Sequence, residues 1–156
     1  MQAALNDDLA LDKRSLRVWL RLITCSGLIE RRVSANLRRD FGESLPRFDF
    51  LSALDRSPQG LSLGEVSRRL LVTNGAVTGL ASRLERDGLI ERFETAGDRR
   101  AQYVRLTTTG RRRFRAMATA HEHWIEAMLG DLSERDAAEL MRLLDRTKRV
   151  LTKGAP

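Results

Sequence analysis

The sequence is short of the residues that most often carry catalysis, metal binding or cross-linking. Cys25 is its one cysteine, so no intrachain disulfide can form, which suits a reducing cytoplasm. The two histidines, His121 and His123, stand two apart and would point to different sides of a helix. No second cysteine or carboxylate cluster joins them at ligand spacing, so neither a metal nor another cofactor is expected. A Gly-rich phosphate loop, a G-x-S-x-G elbow and an H-E-x-x-H pair are all missing, and Cys25 lacks an evident activating base, which argues against an enzyme. No apolar run reaches the ~18 residues of a membrane span. The N-terminal MQAALNDDLALDKRS has early acids and no apolar stretch before a small-residue cleavage site, unlike a signal peptide.

Lysine is scarce as well. Only Lys13, Lys148 and Lys153 stand among 28 cations, the other 25 being arginine. The formal net charge is +7, a balance that suits a polyanion, and arginine in particular suits phosphates and guanine edges. A genome that favours arginine codons produces the same ratio, so the placement of the charges has to decide. The 156 residues allow one domain with a real hydrophobic core and no need of disulfides or metal.

Helical periodicity runs over 9–41 through Leu16, Trp19, Leu20, Ile23, Ile29, Val33 and Leu37, interrupted but not ended by Gly27. Gly42 is placed to take a left-handed C-cap. A second helix starts at Ser44-Leu45-Pro46, proline being tolerated in a first turn, and runs through Phe50, Leu51 and Leu54 to about Arg56, before the turn Ser57-Pro58-Gln59-Gly60. Ser62 and Glu65 form a capping box that opens a third helix over 62–70. Thr73 caps a fourth, 74–87, with Val77, Leu80, Ala81 and Leu84 as its buried stripe and Gly88 as its stop. Segments 89–93 and 102–106 read as a β-hairpin with the polar tip Ala96-Gly97-Asp98-Arg99-Arg100-Ala101. Thr107 or Thr108 caps a long helix to about Leu129, with Phe114, Met117, His121, Trp124, Ile125 and Met128 along one side. Ser133 opens a last helix with Leu140, Leu143, Leu144 and Val150. No internal repeat and no low-complexity linker interrupts this order.

Helix 62–70, a tight turn, helix 73–87 and a hairpin make a winged helix-turn-helix, in which the second helix lies in the major groove. Its outward face holds Asn74, Gly75, Thr78, Gly79, Ser82 and Arg83, with Ala76 beside them. Small polar residues let a helix approach DNA closely, although Gly75 and Gly79 each cost roughly 1 kcal/mol relative to alanine. Asn74 suits adenine, and Arg83 suits guanine or phosphate. A solvated amphipathic helix with two incidental glycines is the plainer alternative. The hairpin tip favours DNA: Arg99 and Arg100 on a projecting loop suit a minor groove, and Asp98 is placed to pair with a neighbouring arginine and hold the loop.

The stretch LSLGEVSRRLLVTNGAVTGLASRLERDGLIERFETAGDRRAQYVRLTTTG resembles the MarR family of bacterial regulators. The resemblance rests on the helix-turn-helix, the DGLIER entry to the wing, and Asp98-x-Arg100 followed by Leu106-Thr107 and Gly110. It is specific over 45–110 and looser outside, where the long first helix and two C-terminal helices also fit. It implies a mainly α fold with a small β-hairpin wing, a single domain over 1–156 with a DNA-binding lobe at 45–108 and a helical dimerisation region at 9–41 plus 108–152. Leu16, Trp19, Leu132, Leu140 and Leu144 are among the apolar residues expected to knit the dimer. It further implies a pseudo-palindromic operator, with Arg100 in the minor groove and Asp98 bracing it. Ser62 and Thr73, at the starts of the two helices, join the expected DNA contacts.

Many relatives of that family release DNA when a small aromatic acid binds. The run LPRFDFLSALDRSPQGLSLGEVSRRLLVTNGAVTG looks most like members linked to aromatic-compound catabolism, including some that answer to aryl-CoA thioesters. A repressor released by such a ligand is therefore expected. A pocket for it needs a cation over an apolar floor. The candidates are Arg47, Phe48 and Leu51, with Arg21, Ser26 and Arg113 as further possibilities; a surface salt bridge from Arg47 to Asp49 or Glu43 is the competing reading. Two other functions stay open. A thiol-based redox sensor would use Cys25, but Cys25 is displaced toward the middle of its helix, Leu45 and Phe48 stand where partner tyrosines would be expected, and a plain buried cysteine is the better reading. An architectural protein would bind DNA without choosing sequence.

Overall fold

A computed structural model describes the backbone of residues 2–95 and 98–153, and the side chains of 13–94 and 102–153. The elements are α1 (Gln2–Phe41), α2 (Leu45–Asp55), β1 (Leu61–Ser62), α3 (Leu63–Leu70), α4 (Asn74–Arg86), β2 (Ile90–Thr95), β3 (Asp98–Leu106), α5 (Thr108–Leu129) and α6 (Glu134–Lys153). The chain divides into two compact units, Met1–His121 and Glu122–Pro156. Among the described residues no helix is long and apolar enough to cross a membrane.

Local signals set the boundaries. Gly42 takes φ +63 and ends α1, its N–H bonding to the Arg38 carbonyl at 3.1 Å. The capping box at α3 is complete: the Ser62 hydroxyl accepts from the Glu65 N–H at 3.2 Å, and the Glu65 carboxylate accepts from the Ser62 N–H at 2.7 Å. Those two donors from Ser62, its backbone N–H foremost and then its hydroxyl, hold the Glu65 carboxyl below its usual pKa. Thr73 Oγ1 caps α4 by accepting from the Ala76 N–H at 3.3 Å. Gly88, at φ +70, closes α4 in a Schellman arrangement, with Leu89 N–H on the Leu84 carbonyl and Gly88 N–H on that of Glu85. Thr107, not Thr108, caps α5: its Oγ1 accepts from the Gly110 N–H at 3.0 Å and donates to the Gly88 carbonyl at 2.7 Å. A Cβ on Gly110 would lie 1.8 Å from the Leu89 carbonyl oxygen, so only glycine allows this helix to start against the β2 entry.

The core of the first unit gathers Val33 and Leu37 of α1, Phe50, Leu51 and Leu54 of α2, and Val66, Val77, Ala81 and Leu84 of the two central helices. Ile90 and Val104 of the sheet and Met117 of α5 complete it. The sheet has the order β1-β3-β2, all antiparallel, with Leu61 opposite Val104 and Ile90 opposite Leu106.

Within one chain the α1 stripe is covered only at its C-terminal end; Leu16, Trp19, Leu20 and Ile23 are about half exposed. Two expectations need correction. Cys25, expected to be buried, is exposed on the same open stretch. The hairpin is also longer than its apolar alternation suggested. Pairing continues to Thr95 opposite Asp98 after a register irregularity, so the Arg99 and Arg100 backbone lies in β3 and not in a loop.

Candidate nucleic-acid interface

Two short helices joined by residues 71–73 form the helix-turn-helix, and α4 is held by Val77, Ala81 and Leu84, all buried. Leu80, expected in that stripe, is half-buried. The opposite face presents Asn74, Gly75, Ala76, Thr78 and Arg83 exposed, and Gly79 and Ser82 half-buried. A Cβ on Gly75 or Gly79 would meet nothing within 4 Å, and neither has a positive φ. No packing within the protein therefore asks for glycine at these positions, and the flat surface they leave faces outward.

The polar side chains differ in what they have left to offer. Thr78 Oγ1 donates to the Asn74 carbonyl at 2.9 Å. Ser82 Oγ donates to the Thr78 carbonyl and accepts from Arg92, both at 3.0 Å. Ser62 and Thr73 spend their hydroxyls on helix caps. By contrast, the side chains of Asn74, Arg83 and Arg86 have no hydrogen bond or ion pair among the described residues. Among the described residues these three are the polar groups of α4 left to meet a ligand, and Arg86 was not among the expected contacts. The side chains of Asp98, Arg99 and Arg100 lie outside the described residues.

Arg92 ties α4 to the wing, a role absent from the expected site. Its Nε donates to Glu85 at 2.8 Å, its Nη2 to Ser82 Oγ at 3.0 Å, and its Nη1 to Gln102 Oε1 on β3. One planar guanidinium thus joins two turns of α4 to both strands. Nearer the base of the wing, Arg105 pairs with Glu91 across the strands at 2.6 Å and lies over the Phe93 ring. Gly60, at φ +90, lets the chain pass beneath: a Cβ there would lie 2.7 Å from Phe93 Cε1 and 2.8 Å from the Val104 carbonyl oxygen.

Behind the interface, Glu43 is a buried carboxylate, 5% exposed. It pairs with Arg47 of α2 and, at 3.5 Å, with Arg113 of α5; Arg47 also reaches Asp87 at the end of α4, at 2.7 Å. Arg113 donates in addition to the Phe41 carbonyl at 2.8 Å. Burial works against the Arg47 charge, and the carboxylates of Glu43 and Asp87 outweigh it, raising its pKa. Of the expected ligand residues, Arg47 and Arg113 are thus gathered around Glu43. Phe48 is buried against Phe114 and His121, with ring centroids 5.5 and 5.0 Å away, and Leu51 is fully buried. Among the described residues, Arg21 and Ser26 bond only within α1, to the Arg17 carbonyl and to Glu30. One turn from Arg21, α1 carries an open groove of about 380 Å³ lined by Lys13, Leu16, Arg17 and Leu20. Asp49, expected as a possible partner of Arg47, is instead half-buried and has no ion pair among the described residues. Burial foremost, together with Glu30, raises its pKa against the opposing pull of His121 and Arg56. Among the described residues no group of three or more His, Cys, Asp or Glu is placed to hold a metal ion.

A helix-turn-helix with a free polar face on its second helix, and a hairpin wing locked to that helix, defines a winged DNA-binding protein. Residues 42–101 match the MarR family. A solved MarR family transcriptional regulator from Silicibacter pomeroyi is 31% identical and superimposes with a TM-score of 0.76, over 90% of this chain and 96% of that one. FabT of Streptococcus pneumoniae, solved in complex with DNA, is 26% identical with a TM-score of 0.74, over 89% and 98%. The transcriptional activatory protein BadR of Rhodopseudomonas palustris is 29% identical over 86% of this chain and 80% of its own. The chain belongs to the MarR family. It is a DNA-binding transcriptional regulator and not an enzyme.

Proposed function

We propose that the protein is a sequence-specific repressor that binds a pseudo-palindromic operator as a homodimer and leaves it when a small aromatic acid or aryl-CoA thioester binds. The observation that carries the DNA-reading part is the face of α4, where Asn74 and Arg83 have no partner among the described residues, beside two glycines that no internal packing requires. Such a face suits close approach to base edges in a major groove. FabT, bound to DNA in its own structure, supports the same use of this fold. Arg100, carried on a wing that Arg92 fixes to α4, would enter the adjacent minor groove with Asp98 bracing it. Arg99 would lie beside it.

Dimerisation is supported by apolar side chains left half exposed in a single chain: Leu16, Trp19, Leu20 and Ile23 on α1, and, in the second unit, Leu132 with Leu140 and Leu144 of α6. Two-fold symmetry then sets half-sites about 10 bp apart. The groove beside Arg21, with Lys13 and Arg17 over Leu16 and Leu20, supplies the cation and apolar floor that an aromatic acid or thioester needs. Such a ligand releases DNA only by binding the DNA-incompetent arrangement more tightly. The protein would act in the cytoplasm, with the DNA.

The test is fluorescence anisotropy with DNA from upstream of the protein's own coding region, across a salt series and with excess unrelated DNA. Binding that survives the competitor and falls steeply with salt is expected. Loss of all binding to competitor would leave an architectural role instead. Arg100→Ala should weaken binding about 5- to 150-fold for each half-site, an arginine contact to base edges contributing on the order of 1–3 kcal/mol, with the dimer intact. Wild-type affinity in that variant would refute the wing assignment.

A further inference from the structure

The turn between α3 and α4 closes on a left-handed residue, as many helix ends do, but the residue there is a leucine and not glycine. Leu71 stands there at φ 55 and ψ 38, the one non-glycine residue with positive φ among the described residues. Left-handed backbone is costly for any residue with a Cβ, and glycine or asparagine at the same position relieves it. The side chain recovers nothing by packing. Leu71 is 91% exposed, the most exposed of the large hydrophobic residues described, and Val72 beside it is 41% exposed. The turn is nevertheless pinned. The Ser67 carbonyl accepts from the N–H groups of both Leu71 and Val72, and the Ser67 hydroxyl donates to the Val72 carbonyl at 2.6 Å. A leucine is thus held out from a fixed base, two residues before the Thr73 cap of α4.

We propose that Leu71 is a specificity-determining residue that packs against the C5-methyl of a thymine at the edge of the site read by α4. The proposal rests on the DNA-reading role of α4 given above. Major-groove base edges are otherwise hydrogen-bond donors and acceptors, for which leucine has no group to offer, and phosphates offer it nothing; the thymine methyl is the apolar feature of that groove. The surroundings favour DNA over a protein partner. Arg68 and Arg69 on the last turn of α3, and Thr73 and Asn74 at the start of α4, are exposed. They make a cationic and polar rim around two apolar side chains, too small an apolar area for a protein interface but suited to one methyl beside phosphates. A strained turn held in place by its neighbours is also where functional contacts concentrate.

The experiment uses the full-length protein and a duplex from upstream of its coding region, narrowed by footprinting to the protected segment. Each thymine of that segment is replaced in turn by deoxyuridine, which removes only the methyl. Wild type, Leu71→Gly and Leu71→Asn are titrated on every duplex, and their melting midpoints are measured. Wild type is expected to lose about fourfold in affinity at one thymine per half-site, the scale of one methyl group returned to water. Leu71→Gly and Leu71→Asn should lose a similar amount on the unmodified duplex and nothing further at that thymine, while other thymines keep their effect. Their midpoints should not fall, because both residues tolerate the left-handed turn. Variants that bind every duplex like wild type would overturn the proposal, as would an equal loss on all duplexes. A variant with normal DNA affinity but defective regulation would place Leu71 against a protein and overturn it too. If wild type itself shows no sequence-specific binding, the reading of α4 fails and Leu71 falls with it, an outcome distinct from an inert Leu71 in a protein that binds.

Discussion

Replacing Gly79 with alanine should make the free protein more stable and its DNA complex weaker. Gly79 lies in the interior of α4 (Asn74–Arg86), a Cβ there meets nothing within 4 Å, and its φ is not positive. An interior helical glycine is less favourable than alanine by about 0.8–1.0 kcal/mol, so the substitution should stabilise the fold by nearly that amount. For a chain of this size the melting midpoint then rises by about 2–4 °C. Gly75, in the first turn, should gain less. On DNA the sign reverses. A methyl group forced into a close-packed contact costs about 1–3 kcal/mol, which is about 5- to 150-fold in affinity for each half-site. Thermal melts at one fixed protein concentration, needed because association shifts the midpoint, would be set beside anisotropy titrations at a single salt concentration. A Gly79→Ala protein that is more stable and binds DNA unchanged would refute the close approach of α4 to the groove. One that is less stable would refute the packing argument itself.

Arg92→Lys should behave nearly like Arg92→Ala, because one ammonium cannot reach Glu85, Ser82 and Gln102 together. Both should lose about 1–2 kcal/mol of stability by urea unfolding and bind DNA more weakly; full rescue by lysine would show that charge alone matters. Glu43→Gln should cost about 2 kcal/mol by the same measurement, less than the usual loss from breaking a buried pair. The reason is that Arg47 keeps Asp87 and Arg113 keeps the Phe41 carbonyl; a change under about 0.5 kcal/mol would refute its role as a hub. Asp49, whose pKa is raised chiefly by burial, binds its proton more tightly folded than unfolded. Its contribution is therefore fully present below the unfolded pKa and is lost as pH rises through the folded one. Asp49→Asn should flatten that part of the stability–pH curve and be the more stable protein at neutral pH; an unchanged slope between pH 3 and 7 would refute the assignment.

The part of this protein legible in its sequence is the part governed by neighbours along the chain. Ser62 with Glu65, Thr73, Gly42 and Gly88 announce the ends of helices because a cap or a left-handed stop involves residues within a few positions of one another. The stripe Val77–Ala81–Leu84 likewise announces which face of α4 is held and, by exclusion, which face looks out. The N-terminal half of α1 shows where that reasoning ends. Leu16, Trp19, Leu20 and Ile23 have the same helical spacing as Val33 and Leu37, yet only the latter two are covered within one chain, since periodicity reports an apolar face and not what lies against it. The hydroxyls on α4 were equally undecidable. Thr78 and Ser82 look like base-reading groups, but the first bonds back to its own helix and the second is claimed by an arginine ten residues away.

What the sequence determined by itself was the class of protein: the order of helices, turn and hairpin, with small polar residues on one helix face and arginines at the hairpin tip. Only the tertiary structure decided which polar groups remain available and which charges brace one another. It placed Asp87 on Arg47 from 40 positions away, set Glu43 between two arginines from different helices, and locked the wing to α4 through Arg92. A side chain's free hydrogen-bonding capacity is what remains after its neighbours in space have been served. Those neighbours are fixed by the packing of distant segments, which no local pattern encodes.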